Sequence, residues 1–178
     1  HVDRLAHLVS DLLDLSKIAS GQLKPERKRF NYTKALDDVV QGYSSTISTH
    51  QIVLKRIDTV EVFADKEQII QVLDNLISNG IKYSPKANRI EISVLDKPNH
   101  VLTRIRDFGV GIPIKHIQKI FDRFYRVHNK TSTASGLGIG LYVSLEIVRS
   151  HGGSLGVESE EGKGSVFTFT IPKRGRVK

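Results

Sequence analysis

The stretch that most restricts how this chain can fold is "KEQIIQVLDNLISNGIKYS", residues 66–84. It lies between Asp65, which can cap a helix, and Pro85, which cannot continue one. At about 3.6 residues per turn, Ile69, Val72, Leu73, Leu76 and Gly80 fall on one stripe. A helix with such a stripe needs an apolar layer to cover it. The chain offers that layer downstream. "RIEISVL" and "VLTRIRDFG" alternate apolar and polar residues about the turn "DKPNH", and "SLGVES" and "GSVFTFTIP" do so about "EEGKG". Both pairs read as hairpins. "IVLKRI" and "VEVFA" are shorter strands around Asp58. Antiparallel hairpins backed by helices predict an α/β fold, one sheet with helices on one face.

Further helices are predicted around this unit. "HVDRLAHLVSDLLDLSKIASG" places Val2, Leu5, Leu8, Val9, Leu12, Leu13, Leu15 and Ile18 on a seam, and Gly21 and Pro25 end it. That seam needs a partner helix the chain does not evidently supply. "FNYTKALDDVVQGYSSTISTHQ" starts near Asn31 or Thr33, and "IKHIQKIFDRFYR" follows Pro113. "VHNKTSTAS" has no period and reads as a loop. It leads into "GLGIGL", residues 136–141, and then into a helix that runs to "HGG".

Composition removes several classes of function. Hydrophobic residues are 39% of the chain, which argues against disorder. Cysteine is absent, which excludes disulfides, thiolate catalysis and cysteine–zinc sites and fits a reducing compartment. Methionine is absent too, even at position 1, so a fragment of a longer protein is expected. No apolar run approaches the roughly 20 residues that span a bilayer, and no membrane contact is expected of this chain. The formal charge is +8, but the cations are scattered and no aromatic residues interleave with them. A nucleic-acid groove is therefore not expected. Solvated faces and a basic tail, 173–178, account for the charge.

Polar chemistry gathers at a few points. Asn75 and Asn79 lie four residues apart, with Lys82 three further on, all along the border of the apolar stripe. Amide oxygens can ligate magnesium and an ammonium can meet a phosphate; solvated surface amides would give the same spacing. In "DFGVGIP", Asp107 can accept from an exocyclic amine, and Gly109 and Gly111 permit a tight turn against a flat ligand. An ordinary Asp-Gly turn is the alternative. In "IFDRFYR", Ile120, Phe121 and Phe124 make an apolar face, with Arg126 and Lys130 beyond it. In "GLGIGL", glycines before a helix N-terminus suggest a phosphate cradle.

Taken in order, these elements resemble the catalytic, ATP-binding domain of sensor histidine kinases. "NLISNGIKYS" is similar to the asparagine box N-L-x-x-N-A-x-K-Y-S/T and "DFGVGIP" to the first glycine box D-x-G-x-G-I. "IFDRFYR" resembles the phenylalanine box, and "GLGIGL" the second glycine box G-T-G-L-G-L, with Leu137 where threonine is common. "DLLDLSKI" and "SGQL" resemble the second helix of the family's dimerisation and phosphotransfer hairpin. The resemblance implies a Bergerat-type two-layer sandwich, its sheet mixed but mostly antiparallel, preceded by one long helix. It divides the chain into a hairpin helix at 1–22, a linker at 23–30, an ATP-binding domain at 31–172 and a tail at 173–178.

The resemblance also implies ATP and Mg2+ as ligands, and a role for each position. Asn79 ligates magnesium, with Asn75 beside it. Lys82 meets a phosphate and Tyr83 lies against the nucleotide. Asp107 receives the adenine amine in a pocket shaped by Gly109, Gly111 and Ile112. Phe124 flanks the nucleotide and Arg126 approaches the outer phosphates. Gly136, Leu137, Gly138 and Gly140 bring backbone N–H groups to the phosphates, and a lid runs between Val127 and Ser135. The implied partners are a second copy, through the helix hairpin, and a response regulator receiver domain. The implied location is cytoplasmic, with an inner-membrane anchor on the intact protein left open.

Two departures stand out. Gly80 replaces a common alanine, at about 1 kcal/mol of helix stability. None of the seven histidines is followed by Asp or Glu, as the family's phosphate acceptor is. The acceptor is therefore expected upstream, and the chain alone should not autophosphorylate. Two other readings compete. Hydrolases of the same superfold, such as gyrase, Hsp90 and mismatch-repair ATPases, carry a glutamate four residues before the magnesium asparagine, where this chain has Asn75. A module that only binds nucleotide would need nothing further.

Overall fold

In chain order the elements are α1 (Val2–Ala19), β1 (Lys28–Asn31), α2 (Tyr32–Thr46), β2 (Gln51–Ile57), β3 (Glu61–Ala64), α3 (Lys66–Tyr83), β4 (Arg89–Asp96), β5 (His100–Arg106), α4 (Ile114–Ile117), α5 (Gly140–Ser150), β6 (Leu155–Glu160) and β7 (Gly164–Pro172). The structure is a computed structural model that describes residues 2–127 and 137–173, and within them the side chains of all but residues 2–8, 10 and 11. Helix starts follow side-chain chemistry. Asn31 Oδ1 accepts from Lys34 N–H at 2.8 Å to cap α2, and Asp65 Oδ1 accepts from Gln68 N–H at 3.2 Å to cap α3.

Among the described residues the main sheet has the order β2-β4-β5-β7-β6, and β1 pairs with β3 in a separate ribbon. β2 and β4 run parallel, and the other pairs of the main sheet are antiparallel. The mixed, mostly antiparallel α/β sandwich expected from the sequence is what the chain forms. Alternate residues of β4, β5 and β7 (Ile90, Ile92, Val94, Ile105, Phe167 and Phe169) are buried on one face. They meet the stripe of α3, to which Ile77 also belongs. A Cβ on Gly80 would stand 3.0 Å from Ile90 Cδ1, so the helix–sheet approach at this point favours glycine over the better helix former alanine. Tyr32 is fully buried, and its hydroxyl and that of Thr103 are 2.5 Å apart. Burial pushes the Tyr32 phenol well above its ordinary pKa, so it stays neutral and satisfied.

The structure departs from the sequence reading in three places. Strand pairing begins at Lys28, where Lys28 faces Ala64. The strands around Asp58, β2 and β3, lie in different sheets, where one sheet was expected. Residues 114–126 form only the single turn of α4, followed by turns closed by Lys119 N–H and Ile120 N–H to His116 O and by Tyr125 N–H to Asp122 O. Phe124, expected on an apolar face, has φ +62 and is 60% exposed. Its N–H donates to Gly138 O at 3.0 Å, a contact across the chain that a continuing helix could not make.

The end of α1 rests on the sandwich. Leu15 and Ile18 pack against the core, and buried Asp14 accepts from Gln71 Nε2 at 2.5 Å. Val9, Leu12 and Leu13 stand 49%, 53% and 57% exposed, so the seam read in the sequence is only partly covered. Beyond α1 the chain is tied down by Glu26 N–H to Asp65 Oδ2 at 2.9 Å and by Arg27 Nη2 to Ser150 O at 2.6 Å. No described helix is long and apolar enough to cross a membrane.

Candidate functional site

The site forms where β5 ends, α3 ends and α5 begins. Asp107 leaves β5 with its N–H bonded to Ser165 O at 2.9 Å. Its carboxylate Oδ1 accepts from Gly109 N–H at 2.9 Å and from Ser165 N–H at 3.2 Å. Oδ2 has no hydrogen bond among the described residues, although Asp107 is only 4% exposed. Burial raises the Asp107 pKa above the ordinary carboxylate value, and the bonds from Gly109 and Ser165 pull it partly back. A buried carboxylate with one oxygen fixed and the other open is an acceptor awaiting a donor.

The two glycines of this loop are dictated by the protein's own backbone. A Cβ on Gly109 would lie 2.1 Å from Tyr83 O, the carbonyl that accepts from Val110 N–H at 3.1 Å. Gly111 has φ +66, and a Cβ there would lie 2.0 Å from Glu160 O. The loop is thus wedged between the end of α3 and the β6–β7 turn, and Ile112 N–H donates to Ser159 Oγ at 2.8 Å.

On α3 the polar strip faces the same space. Asn75 Nδ2 donates to Gly140 O and to Ser144 Oγ, both at 3.3 Å, so this amide fastens α3 to the start of α5. Asn79 is partly buried one turn on. Lys82 is partly buried, with Nζ 5.1 Å from the Tyr83 ring centre. Burial depresses the Lys82 pKa, and the nearby Arg126 depresses it further. Tyr83 is raised by burial and pulled back by the same Arg126. Lys82 and Arg126 therefore share one field, where an anionic ligand would relieve their repulsion.

α5 begins without a side-chain cap: Ile139, at its N-cap, is 1% exposed. Val143 N–H to Ile139 O, at 2.9 Å, is the first bond of the helix ladder, which leaves the N–H groups of Gly140, Leu141 and Tyr142 without partners in the helix. Leu137 is partly buried ahead of it. Gly138 has φ +74, and a Cβ there would meet Tyr125 O at 2.7 Å. Phe124 is joined to this turn through Gly138 O, and Arg123 Nη2 donates to Tyr142 OH at 2.5 Å. Gly136, His128, Lys130 and most of the expected lid lie outside the described residues.

Among the described residues no group of three or more His, Asp or Glu could hold a metal. A cation here would depend on amide oxygens, such as that of Asn79, and on oxygens of the ligand and water. That donor set suits a hard ion such as magnesium, which takes few protein ligands beside phosphates.

A model of the histidine kinase-, DNA gyrase B- and HSP90-like ATPase family matches residues 64–175. The chain belongs to this family. Within it, the fold and the order of the sequence boxes are those of the ATP-binding catalytic domain of sensor histidine kinases. Sensor histidine kinase WalK of Bacillus subtilis (strain 168) is 35% identical over 175 residues, which are 96% of this chain and 29% of that protein. Acinetobacter baumannii histidine kinase AdeS has a TM-score of 0.79 at 27% identity, covering 97% of this chain and 80% of that one. The catalytic domain of histidine kinase ThkA, in a nucleotide-free form, has a TM-score of 0.71 at 30% identity, covering 83% of this chain and 96% of that one. ThkA is also seen in complex with the response regulator protein TrrA.

For this kinase-type domain, the residues that sequence reasoning missed are those that hold the loops. Ser144 receives Asn75, Ser159 receives Ile112 N–H, and the Ser165 backbone brackets Asp107. Single serines carry no period or spacing that would have marked them.

Proposed function

We propose that this chain binds Mg-ATP in the cleft between α3, the loop 107–112 and the start of α5, and that within a longer protein it serves transfer of the γ-phosphoryl to an upstream histidine. The observation that carries this reading is Asp107, with Oδ1 bonded to backbone N–H groups and Oδ2 open. The adenine 6-amine is a donor suited to that oxygen, whereas guanine presents a carbonyl there. Tyr83 and Ile112 flank the base, and Gly109 and Gly111 hold the wall by packing on backbone. Lys82 and Arg126 neutralise the phosphates, aided by N–H groups of the Gly138–Gly140 turn and the dipole of α5. Asn79 holds magnesium, with Asn75 fixing the helix beside it; the ion would neutralise charge on the outer phosphates.

The chain's part in the transfer is positioning and charge stabilisation. An imidazole nitrogen from upstream bonds to the γ-phosphorus as the bond to the β-bridging oxygen breaks, and ADP leaves. Asn75 stands where the hydrolases have a general base, and an amide cannot take a proton from water. This favours transfer over hydrolysis. The half-exposed Val9, Leu12 and Leu13 of α1 support a helical hairpin and a homodimer built on it. The ThkA–TrrA complex supports a receiver domain as the next acceptor. The division at 1–22, 23–30, 31–172 and 173–178 belongs to the same proposal, with the last three residues of the linker paired in β1.

Asn79→Asp tests the metal assignment, because it sets a second negative charge against the phosphates while preserving shape. Calorimetry should show Mg-ATP affinity reduced by about 100-fold, some 2.7 kcal/mol, with the melting temperature unchanged. Wild-type affinity in this variant would overturn the role of Asn79.

A further inference from the structure

The loop that carries Asp107 is bound at both ends to one rung of the β6–β7 hairpin, where Ser159 pairs with Ser165. At one end, Ser165 N–H donates to Asp107 Oδ1 at 3.2 Å and Asp107 N–H donates to Ser165 O at 2.9 Å. At the other, Ile112 N–H donates to Ser159 Oγ at 2.8 Å. The Ser159 hydroxyl lies 2.9 Å from Gly164 O and 2.9 Å from Ser165 Oγ. It has one proton, which goes to the carbonyl or to the other serine, and its lone pairs accept the rest. Gly164 follows the same logic, since a Cβ there would stand 2.2 Å from Asp107 O.

We infer that Ser159 is a specificity-determining positioning residue, which holds the loop 107–112 at the register where Asp107 distinguishes an adenine from a guanine base. The inference rests on the nucleotide reading above. Ser159 does not touch the base; it acts through Ile112 N–H and through Ser165. Without its hydroxyl, the Ile112 amide loses its partner and the side-chain link between Ser159 and Ser165 is lost. The loop keeps the backbone bonds between Asp107 and Ser165, Val110 N–H to Tyr83 O and Gly162 N–H to Val110 O, and shifts about them. A displaced Asp107 accepts the adenine amine less well and opposes the guanine carbonyl less strongly, so discrimination falls from both sides.

Ser159→Val and Ser159→Thr separate the hydroxyl from the shape of the side chain, and both β-branched residues suit a strand. Calorimetry with Mg-ATP and with Mg-GTP should show the valine variant about tenfold weaker for ATP, the order of one unpaired, partly buried amide. Its ATP-to-GTP preference should shrink by at least that factor, and the threonine variant should keep the wild-type ratio. Amide hydrogen exchange in the nucleotide-free protein should quicken at Ile112 with valine and stay slow with threonine. Equal ratios in wild type and valine, equal losses in valine and threonine, or unchanged Ile112 exchange with valine would each overturn the inference. A wild type that binds no ATP overturns the nucleotide reading and this specificity claim together. A wild type that prefers ATP beside a valine variant with the same preference overturns the role of Ser159 alone.

Discussion

Gly109→Ala is expected to lower the melting temperature by about 6–12 °C, with nucleotide binding lost at temperatures where the wild type is intact. The added Cβ would lie 2.1 Å from Tyr83 O, 2.7 Å from Tyr83 C and 2.9 Å from Ser84 Cα. All three are backbone atoms at the end of α3, so no side chain can rotate away. Nor can α3 retreat, because Leu76 and Ile77 above that end are 0% exposed. Overpacking of this kind costs about 3 kcal/mol or more when nothing flexible absorbs it. Gly42→Ala is the matched control. Beyond the surrounding helix backbone, no atom lies within 4 Å of its new Cβ inside α2, and helix propensity should make that variant more stable by up to about 1 kcal/mol. Thermal melts of both variants check the pair; a Gly109→Ala protein that melts with the wild type would contradict the wedge between α3 and the loop.

Asp107→Asn should bind ATP at least about tenfold more weakly while GTP affinity holds, and should nevertheless melt higher than the wild type at pH 7. Asparagine keeps an oxygen for the N–H groups of Gly109 and Ser165 but no longer places a charge in a site that is 4% exposed. The Asp107 pKa is raised from 3.8 by burial, so the folded state holds this proton more tightly than the unfolded chain does. The stability gained from that proton is fully present below 3.8 and is lost as pH rises through the folded-state value. The stability gap between the variants should therefore close on acidification, measured by melts across pH 7 to 4. Wild-type ATP affinity should weaken over the same acid range, because the neutral carboxyl is a poorer acceptor, and the variant's should stay flat. Equal loss of ATP and GTP in Asp107→Asn would remove the adenine role.

The parts of this molecule legible in the sequence are those fixed by local period. The stripe of α3 and the β4–β5 and β6–β7 hairpins follow from spacing alone, and the caps at Asn31 and Asp65 from residue type. The spacing of Asn75, Asn79 and Lys82 likewise marked one edge of a helix. What stayed hidden depends on contacts across the chain. β1 is four residues, two of them charged, and exists because β3 pairs with it. Residues 118–124 look helical by pattern, but the bond from Phe124 to Gly138 outweighs propensity. Gly109 and Gly111 were visible as glycines, whereas the carbonyls of Tyr83 and Glu160 that require them were not. Asn75 was visible as polar, but not as the tie between α3 and α5.

Amide-resolved NMR of the isotopically labelled chain, titrated with Mg-ATP, tests the central claim most directly. The account predicts that, among the described residues, saturable shifts are confined to 75–83, 107–112, 124–126 and 137–142, with the open sheet face around Arg104 and Thr168 unmoved. Shifts centred elsewhere, such as the cleft between α2 and α3 at Tyr43 and Gly42, or no saturable shift at all, would contradict it.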